Sequence, residues 1–176
     1  MTEKTLLSDD GELFDACAEL VGLAAGAGVT LGTAESCTGG LVAGCLTAVP
    51  GSSAVVRGGV VSYSADVKQA LLGVSDAVVR TPGVGVVSGE CAEQMARGAR
   101  LSLGCDVAVS VTGIAGPGGA EPGKPVGTVW LGLATPGGTR SLLCRFGGDR
   151  AEVRRQAVRR ALALLREGVV ETGRGA

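Results

Sequence analysis

Histidine is missing altogether: the chain has 176 residues and 0 histidines. That excludes a Ser-His-Asp triad, a Cys-His dyad and any His-ligated metal centre. A nucleophilic serine or cysteine here would therefore need a lysine, a tyrosine, a carboxylate or a bound water as its base. Lysines are themselves few, at positions 4, 68 and 124. No apolar run approaches the ~20 residues that cross a bilayer, and Met1-Thr2-Glu3-Lys4 lacks the basic-then-apolar layout of a signal peptide. The expectation is a cytoplasmic protein without a membrane partner. Six cysteines, at 17, 37, 45, 91, 105 and 144, form no C-x-x-C pair and sit mostly among Ala, Val and Leu, so they read as reduced core residues. Strong charge of either sign is absent too. A formal net charge of −1 argues against a broad nucleic-acid footprint.

What is present suits a packed core: 45% hydrophobic residues and 31 glycines describe one compact domain spanning residues 1–176. Asp9 or Asp10 can cap a first helix in which Leu13, Cys17, Leu20, Val21 and Ala24 share a face, closing near Gly26 and Gly28. Val29 to Gly32 reads as a short buried strand, and Leu41, Val42, Cys45, Leu46 and Val49 recur at helical spacing. Pro50 to Ser53 is a turn, and Val55 to Ser64 is a Val-rich strand. A short helix from Ala65 or Asp66 through Leu72 closes at Gly73. Residues 81–85 form a loop before Ser88, which can cap a helix carrying Ala92, Met95, Ala96 and Ala99 inward and ending near Gly104. Val107 to Val111 and Val126 to Ala134 are strands, and Pro136-Gly137-Gly138 turns the second back into Ser141 to Phe146 as a hairpin. A long helix runs from about Asp149 to Val169. This alternation predicts a three-layer αβα fold of the α/β class with a mixed, mostly parallel sheet.

Three polar clusters interrupt the pattern. Thr33-Ala34-Glu35-Ser36-Cys37-Thr38-Gly39-Gly40 falls between strand and helix, where free N–H groups and the helix dipole favour negative charge; Ser36 or Thr38 can also serve there simply as a cap. Thr112 to Gly119, followed by Ala120 to Pro125, is a glycine-dense loop leaving another strand. It is neither a G-x-x-x-x-G-K-[ST] loop, because Pro125 follows Lys124, nor a G-x-G-x-x-G opening a helix. In an open α/β sheet ligands bind at the carboxyl ends of strands, and both segments leave such ends. The third cluster holds the only Tyr, Tyr63, with Lys68 about one helical turn beyond a strand end, placed to point back to the same rim. A buried lysine of lowered pKa can take a proton from a serine. Otherwise Tyr63 simply packs and Lys68 is solvated.

Together these segments resemble the CinA C-terminal domain family, whose stand-alone members are nicotinamide-nucleotide amidases. The likeness runs through residues 34–40, Pro50 to Ser53, Gly59 to Ser64, Lys68 with Leu72-Gly73-Val74, residues 112–119, Lys124 to Val129 and Gly148-Asp149-Arg150. It implies hydrolysis of nicotinamide mononucleotide to nicotinate mononucleotide and ammonia, in pyridine nucleotide salvage or recycling, without a metal or organic cofactor. In this chain it implies that Ser36 attacks the amide carbon, Lys68 carries the proton and Tyr63 hydrogen-bonds within that pair. N–H groups near Gly39 and Gly40 would meet the oxyanion. Substrate contacts would come from Glu35, Thr38, Gly39, Gly40, Thr112, Gly113, Ile114, Ala115, Gly116 and Arg150, the last as a fork on phosphate. The family pattern carries Asn where this chain has Ala65. Cys37 is a rival nucleophile, since a thiol at a helix start tends to acidify. The resemblance also implies a homodimer or larger homo-oligomer.

Two other classes stand beside the amidase. One is a domain that keeps the nucleotide pocket but only binds or senses. The other is a nucleic-acid binder, because Arg150, Arg154, Arg155, Arg159, Arg160 and Arg166 crowd the last helix. With no interleaved aromatics, a solvated basic face is the favoured reading of those arginines.

Overall fold

The computed structural model describes residues 11–173; the expected caps Asp9 and Asp10 lie outside them. Helix α1 (Gly11–Ala27) leads to strand β1 (Leu31–Glu35), α2 (Leu41–Thr47), a 3₁₀ turn at Ser52–Ala54 and β2 (Val56–Val61). Then come α3 (Ala65–Leu72), α4 (Asp76–Arg80), α5 (Gly89–Leu103), β3 (Val107–Gly113), β4 (Thr128–Thr135), β5 (Gly138–Arg145) and α6 (Arg150–Gly173). The five strands form one sheet in the order β2-β1-β3-β4-β5. β1 pairs parallel with β2 and with β3, whereas β4 is antiparallel to both β3 and β5. Four strands thus point one way and β4 alone runs against them, so the sheet is mixed, as its hairpin predicts.

Helices cover both faces. Leu13, Cys17, Leu20, Val21 and Ala24 turn α1 inward, and with Val42, Cys45 and Leu46 of α2 and Val153 to Val169 of α6 they make one core layer. On the other face Cys91, Met95 and Ala99 of α5 pack with Ala34, Ala108, Leu72 and Val78. Local chemistry sets several boundaries. The Ser88 hydroxyl accepts the Cys91 N–H at the start of α5, and glycines in the left-handed conformation close α3 at Gly73 and α5 at Gly104.

Two elements depart from the sequence reading. The first strand starts later than Val29 and runs through Glu35, because its backbone is shared between two parallel neighbours along its whole length. Tertiary pairing there draws Thr33 and Glu35 into the sheet. Helix α4 went unread: five residues with two adjacent valines carry little helical signal, and its N-cap, Ser75, accepts the Val78 N–H at 3.3 Å.

The topology places the functional rim. From β1 the chain crosses by α2 to β2 on one side, while β3 lies on the other side of β1 and is reached by way of α5. The carboxyl ends of β1 and β3 therefore flank a point where the strand order reverses, the usual crevice for ligands in open α/β sheets.

Candidate active site

Ser36 is the first residue past β1. Its N–H donates to the Val111 carbonyl of β3 at 2.9 Å, and its own carbonyl accepts the Gly39 N–H at 3.0 Å. These bonds hold a tight turn over the strand end. Lys68 reaches it from the second turn of α3 and is almost completely buried, at 1% exposure. Its Nζ lies 2.9 Å from Ser36 Oγ, 2.6 Å from the Ser62 carbonyl and 3.3 Å from the Tyr63 carbonyl. No carboxylate among the described residues pairs with it, and burial pulls its pKa below the ordinary lysine value, with only weak opposition from the neighbouring Cys91 and Cys37. Nζ donates to all three oxygens, the two carbonyls and Ser36 Oγ, as an ammonium does; once the amine is neutral, two N–H groups suffice for the carbonyls and the lone pair is left to the serine hydroxyl.

Several expected site residues do different work. Glu35 is 1% exposed and is the cap of α2: its carboxylate accepts from the N–H groups of Gly40 at 3.0 Å, Val42 at 3.1 Å and Ala43 at 2.8 Å, and from the Thr33 hydroxyl. Neither Ser36 nor Thr38 caps that helix; the N-cap position is Gly40, with φ of 95°. Because the Gly39 and Gly40 amides are committed to Ser36 and Glu35, they have no hydrogen to offer an oxyanion. In the stretch 36–43 the amide left without an acceptor among the described residues is that of Thr38, while that of Cys37 faces its own thiol. Cys37 is not the acidified thiol its position suggests: its side chain enters the apolar core, and burial pushes it up to about 11 despite the nearby Lys68 and Arg154 charges.

The Tyr63 phenol does not join the serine–lysine pair. Tyr63 contributes its carbonyl to Lys68, while its ring is 64% exposed and its hydroxyl accepts from Arg150 at 3.3 Å. Arg150 also donates to the Gly116 carbonyl at 3.0 Å, linking the start of α6 to two loops of the rim. On the glycine loop, Thr112 spends its hydroxyl on the Val86 carbonyl at 2.7 Å, and Ile114 and Ala115 are buried. Gly113 is required by packing: a Cβ there would meet the Thr128 carbonyl at 2.6 Å. Two buried hydroxyls beside the pair, Thr38 Oγ1 and Ser62 Oγ, have no partner among the described residues.

Sequence patterning groups Arg154 with the solvated basic face of the last helix, but it turns to the Ser36 loop. From α6 its Nε donates to the Cys37 carbonyl at 3.1 Å and its Nη2 to the Thr38 carbonyl at 3.0 Å. The available signal was its spacing of four from Arg150, which sets both on one helix face.

A model of the CinA C-terminal domain matches residues 15–169. A CinA-like protein of Mycolicibacterium gilvum is 47% identical over 167 residues, covering 94% of this chain and 38% of the relative. Another, from Geobacter metallireducens, is 47% identical over 149 residues, covering 85% of this chain and 35% of the relative. The chain thus spans little more than a third of the length of these curated relatives. Among solved structures, the competence/damage inducible protein CihA from Agrobacterium tumefaciens superposes with a TM-score of 0.84 at 43% identity, over 88% of this chain and 94% of that one. The competence damage-inducible protein A (ComA) from Klebsiella pneumoniae subsp. pneumoniae gives a TM-score of 0.85 at 37% identity, over 90% and 97%.

Proposed function

Since the chain belongs to the CinA C-terminal domain family, which includes nicotinamide-nucleotide amidases, we propose that it hydrolyses the carboxamide of nicotinamide mononucleotide with Ser36 as nucleophile and Lys68 as base. The observation that carries this reading is the 2.9 Å contact between Ser36 Oγ and a buried Lys68 Nζ whose other two neighbours are carbonyls. A neutral amine in that position accepts the hydroxyl proton as Oγ bonds to the amide carbon. The oxygen that becomes negative is met by the unclaimed N–H of Thr38; a donor so placed is worth about 3 kcal/mol of barrier. The Lys68 ammonium then returns its proton to the amide nitrogen, the C–N bond breaks and ammonia leaves. Water, deprotonated by the same amine, cleaves the ester at Ser36 to release nicotinate mononucleotide.

Nucleotide binding falls to the rim. Arg150 spends one N–H on Gly116 and one on Tyr63, and its remaining donors suit a phosphate oxygen. Contacts from Thr112 and residues 113–116 to the ribose would be made by backbone, since the Thr112 hydroxyl is engaged. The same reading includes a cytoplasmic homodimer or larger homo-oligomer, which light scattering on the purified protein measures directly.

The test is ammonia release from nicotinamide mononucleotide with a chelator present, in the parent and in Ser36→Ala, Lys68→Ala and Cys37→Ala. Loss of about 1,000-fold or more in the first two, with Cys37→Ala within about threefold of the parent, is the expected result. A parent that binds the nucleotide without turning it over would replace the amidase with a nucleotide-binding or sensing domain.

A further inference from the structure

We infer that Arg154 is a positioning residue: its fork on the Cys37 and Thr38 carbonyls holds the nucleophile turn so that the Thr38 N–H is presented to the oxyanion. This rests on the serine-amidase reading above. In residues 36–43 the amides of Ser36, Gly39, Gly40, Leu41, Val42 and Ala43 all have acceptors: the carbonyls of Val111, Ser36 and Thr38, and the Glu35 carboxylate. That of Cys37 faces its own thiol, and that of Thr38 has none.

The only cis peptide bond among the described residues is Gly116-Pro117, so each plane of this turn is trans and its C=O and N–H point in opposite directions. The Ser36–Cys37 plane is fixed by the Gly39 N–H on the Ser36 carbonyl. The Cys37–Thr38 plane has no such bond within the turn. What fixes it is Arg154, whose Nε takes the Cys37 carbonyl at 3.1 Å and thereby directs the Thr38 N–H to the opposite side. Nη2 takes the Thr38 carbonyl at 3.0 Å and fixes the following plane with the same rigid group. A guanidinium suits this task because its donors lie in one plane at fixed separation, whereas an ammonium is a point charge on a flexible stem. Gly39 and Gly40, at φ of 62° and 95°, would leave the turn pliable without the clamp.

The experiment uses two readouts on the full chain. The first is kcat and KM for nicotinamide mononucleotide in the parent, Arg154→Ala, Arg154→Lys and, as a control on the same helix, Arg155→Ala. The second does not depend on that substrate: the rate at which a fluorophosphonate labels Ser36, followed by intact mass. In that step Oγ bonds to phosphorus, fluoride leaves and the hydroxyl proton passes to Lys68, while the phosphoryl oxygen occupies the oxyanion position.

For Arg154→Ala, kcat and labelling rate should both fall about 10- to 100-fold, with KM within threefold. Millimolar guanidinium should restore part of each, and Arg154→Lys should recover little. Arg155→Ala should match the parent. If Arg154→Ala does not fold, Arg154→Gln, which keeps one donor, goes through the same measurements. Labelling and kcat at parental values in the Arg154 variants, or a loss confined to KM, would overturn the clamp while leaving the amidase intact. A parent whose Ser36 is neither labelled nor active would overturn the nucleophile reading and the clamp with it. A parent that is labelled but inert toward the nucleotide would remove only the substrate, and the labelling rates would still decide the clamp.

Discussion

The charge on one buried amine, Lys68, makes stability depend on pH and, in the proposed reaction, rate as well. Its pKa in the folded chain lies below the ~10.4 of an unfolded lysine, because burial disfavours the ammonium. Between those two values the unfolded chain holds the proton and the folded one does not, so stability rises with pH across that window. Cys37, Cys91 and Cys105, each pushed up to about 11 by burial, act with the opposite sign: the stability they confer is lost as pH rises above the ordinary thiol value of ~8.5. Urea unfolding of the parent and of Lys68→Met over a pH series separates the two contributions. The parent-minus-variant difference should rise with pH and level off by ~10.4, while the thiol-driven decline remains in both. In the proposed reaction kcat/KM should climb through the same lowered lysine pKa, since only the neutral amine accepts the serine proton. At this scale Ser36 and Lys68 were singled out by the resemblance of the segments around them, the missing histidine having left lysine among the few bases available; that their side chains meet is what the fold adds. Sequence order cannot show that the Glu35 carboxylate is taken up by three helix amides, or that Tyr63 reaches Lys68 through its carbonyl while its phenol meets Arg150.

The Ser36–Lys68 pair is held by elements, and two contacts between them carry the geometry. Glu35 ends β1 and starts α2 by taking three amides on its carboxylate. Glu35→Ala would leave those amides buried or half-buried without acceptors, at a cost of about 3 kcal/mol or more. The expected observation is a large drop in the urea midpoint at unchanged slope. Helix α3, which carries Lys68, meets α5 where Gly98 passes so close to the Leu72 carbonyl that an added Cβ would lie 2.0 Å from it. Gly98→Ala must push α3 away from α5. It should cost about 1–3 kcal/mol and lower kcat, since Lys68 moves with its helix; a melt and an ammonia assay on the same preparation check both. The helical periods of α1, α3, α5 and α6 were readable because each buries one face. Helix α4 and the far half of β1 were not, since their formation depends on neighbours distant in sequence.

Across the whole molecule five of the six arginines of α6 bond groups of the protein itself. Arg150 and Arg154 bond the loops of the rim, and Arg155, Arg159 and Arg160 pair with Glu152, Glu12 and Glu167. Fluorescence anisotropy with duplex DNA at physiological salt should therefore show no binding; salt-sensitive binding would show that this face serves nucleic acid after all. No helix among the described residues is long and apolar enough to cross a membrane. What the sequence by itself determined was the class of fold, the faces of its long helices and the chemistry available to a nucleophile. Those depend on the period of apolar residues and on which residue types are present, both local properties of the chain. Tertiary structure alone decided which strand end meets which helix, and so which amides, carbonyls and charges remain free. Ser36 and Lys68 are 32 positions apart in sequence, and Arg154 is 116 from the Thr38 carbonyl it holds. Such pairings arise when the sheet and its two helical layers close around a shared core, which burial energy drives and no local pattern encodes.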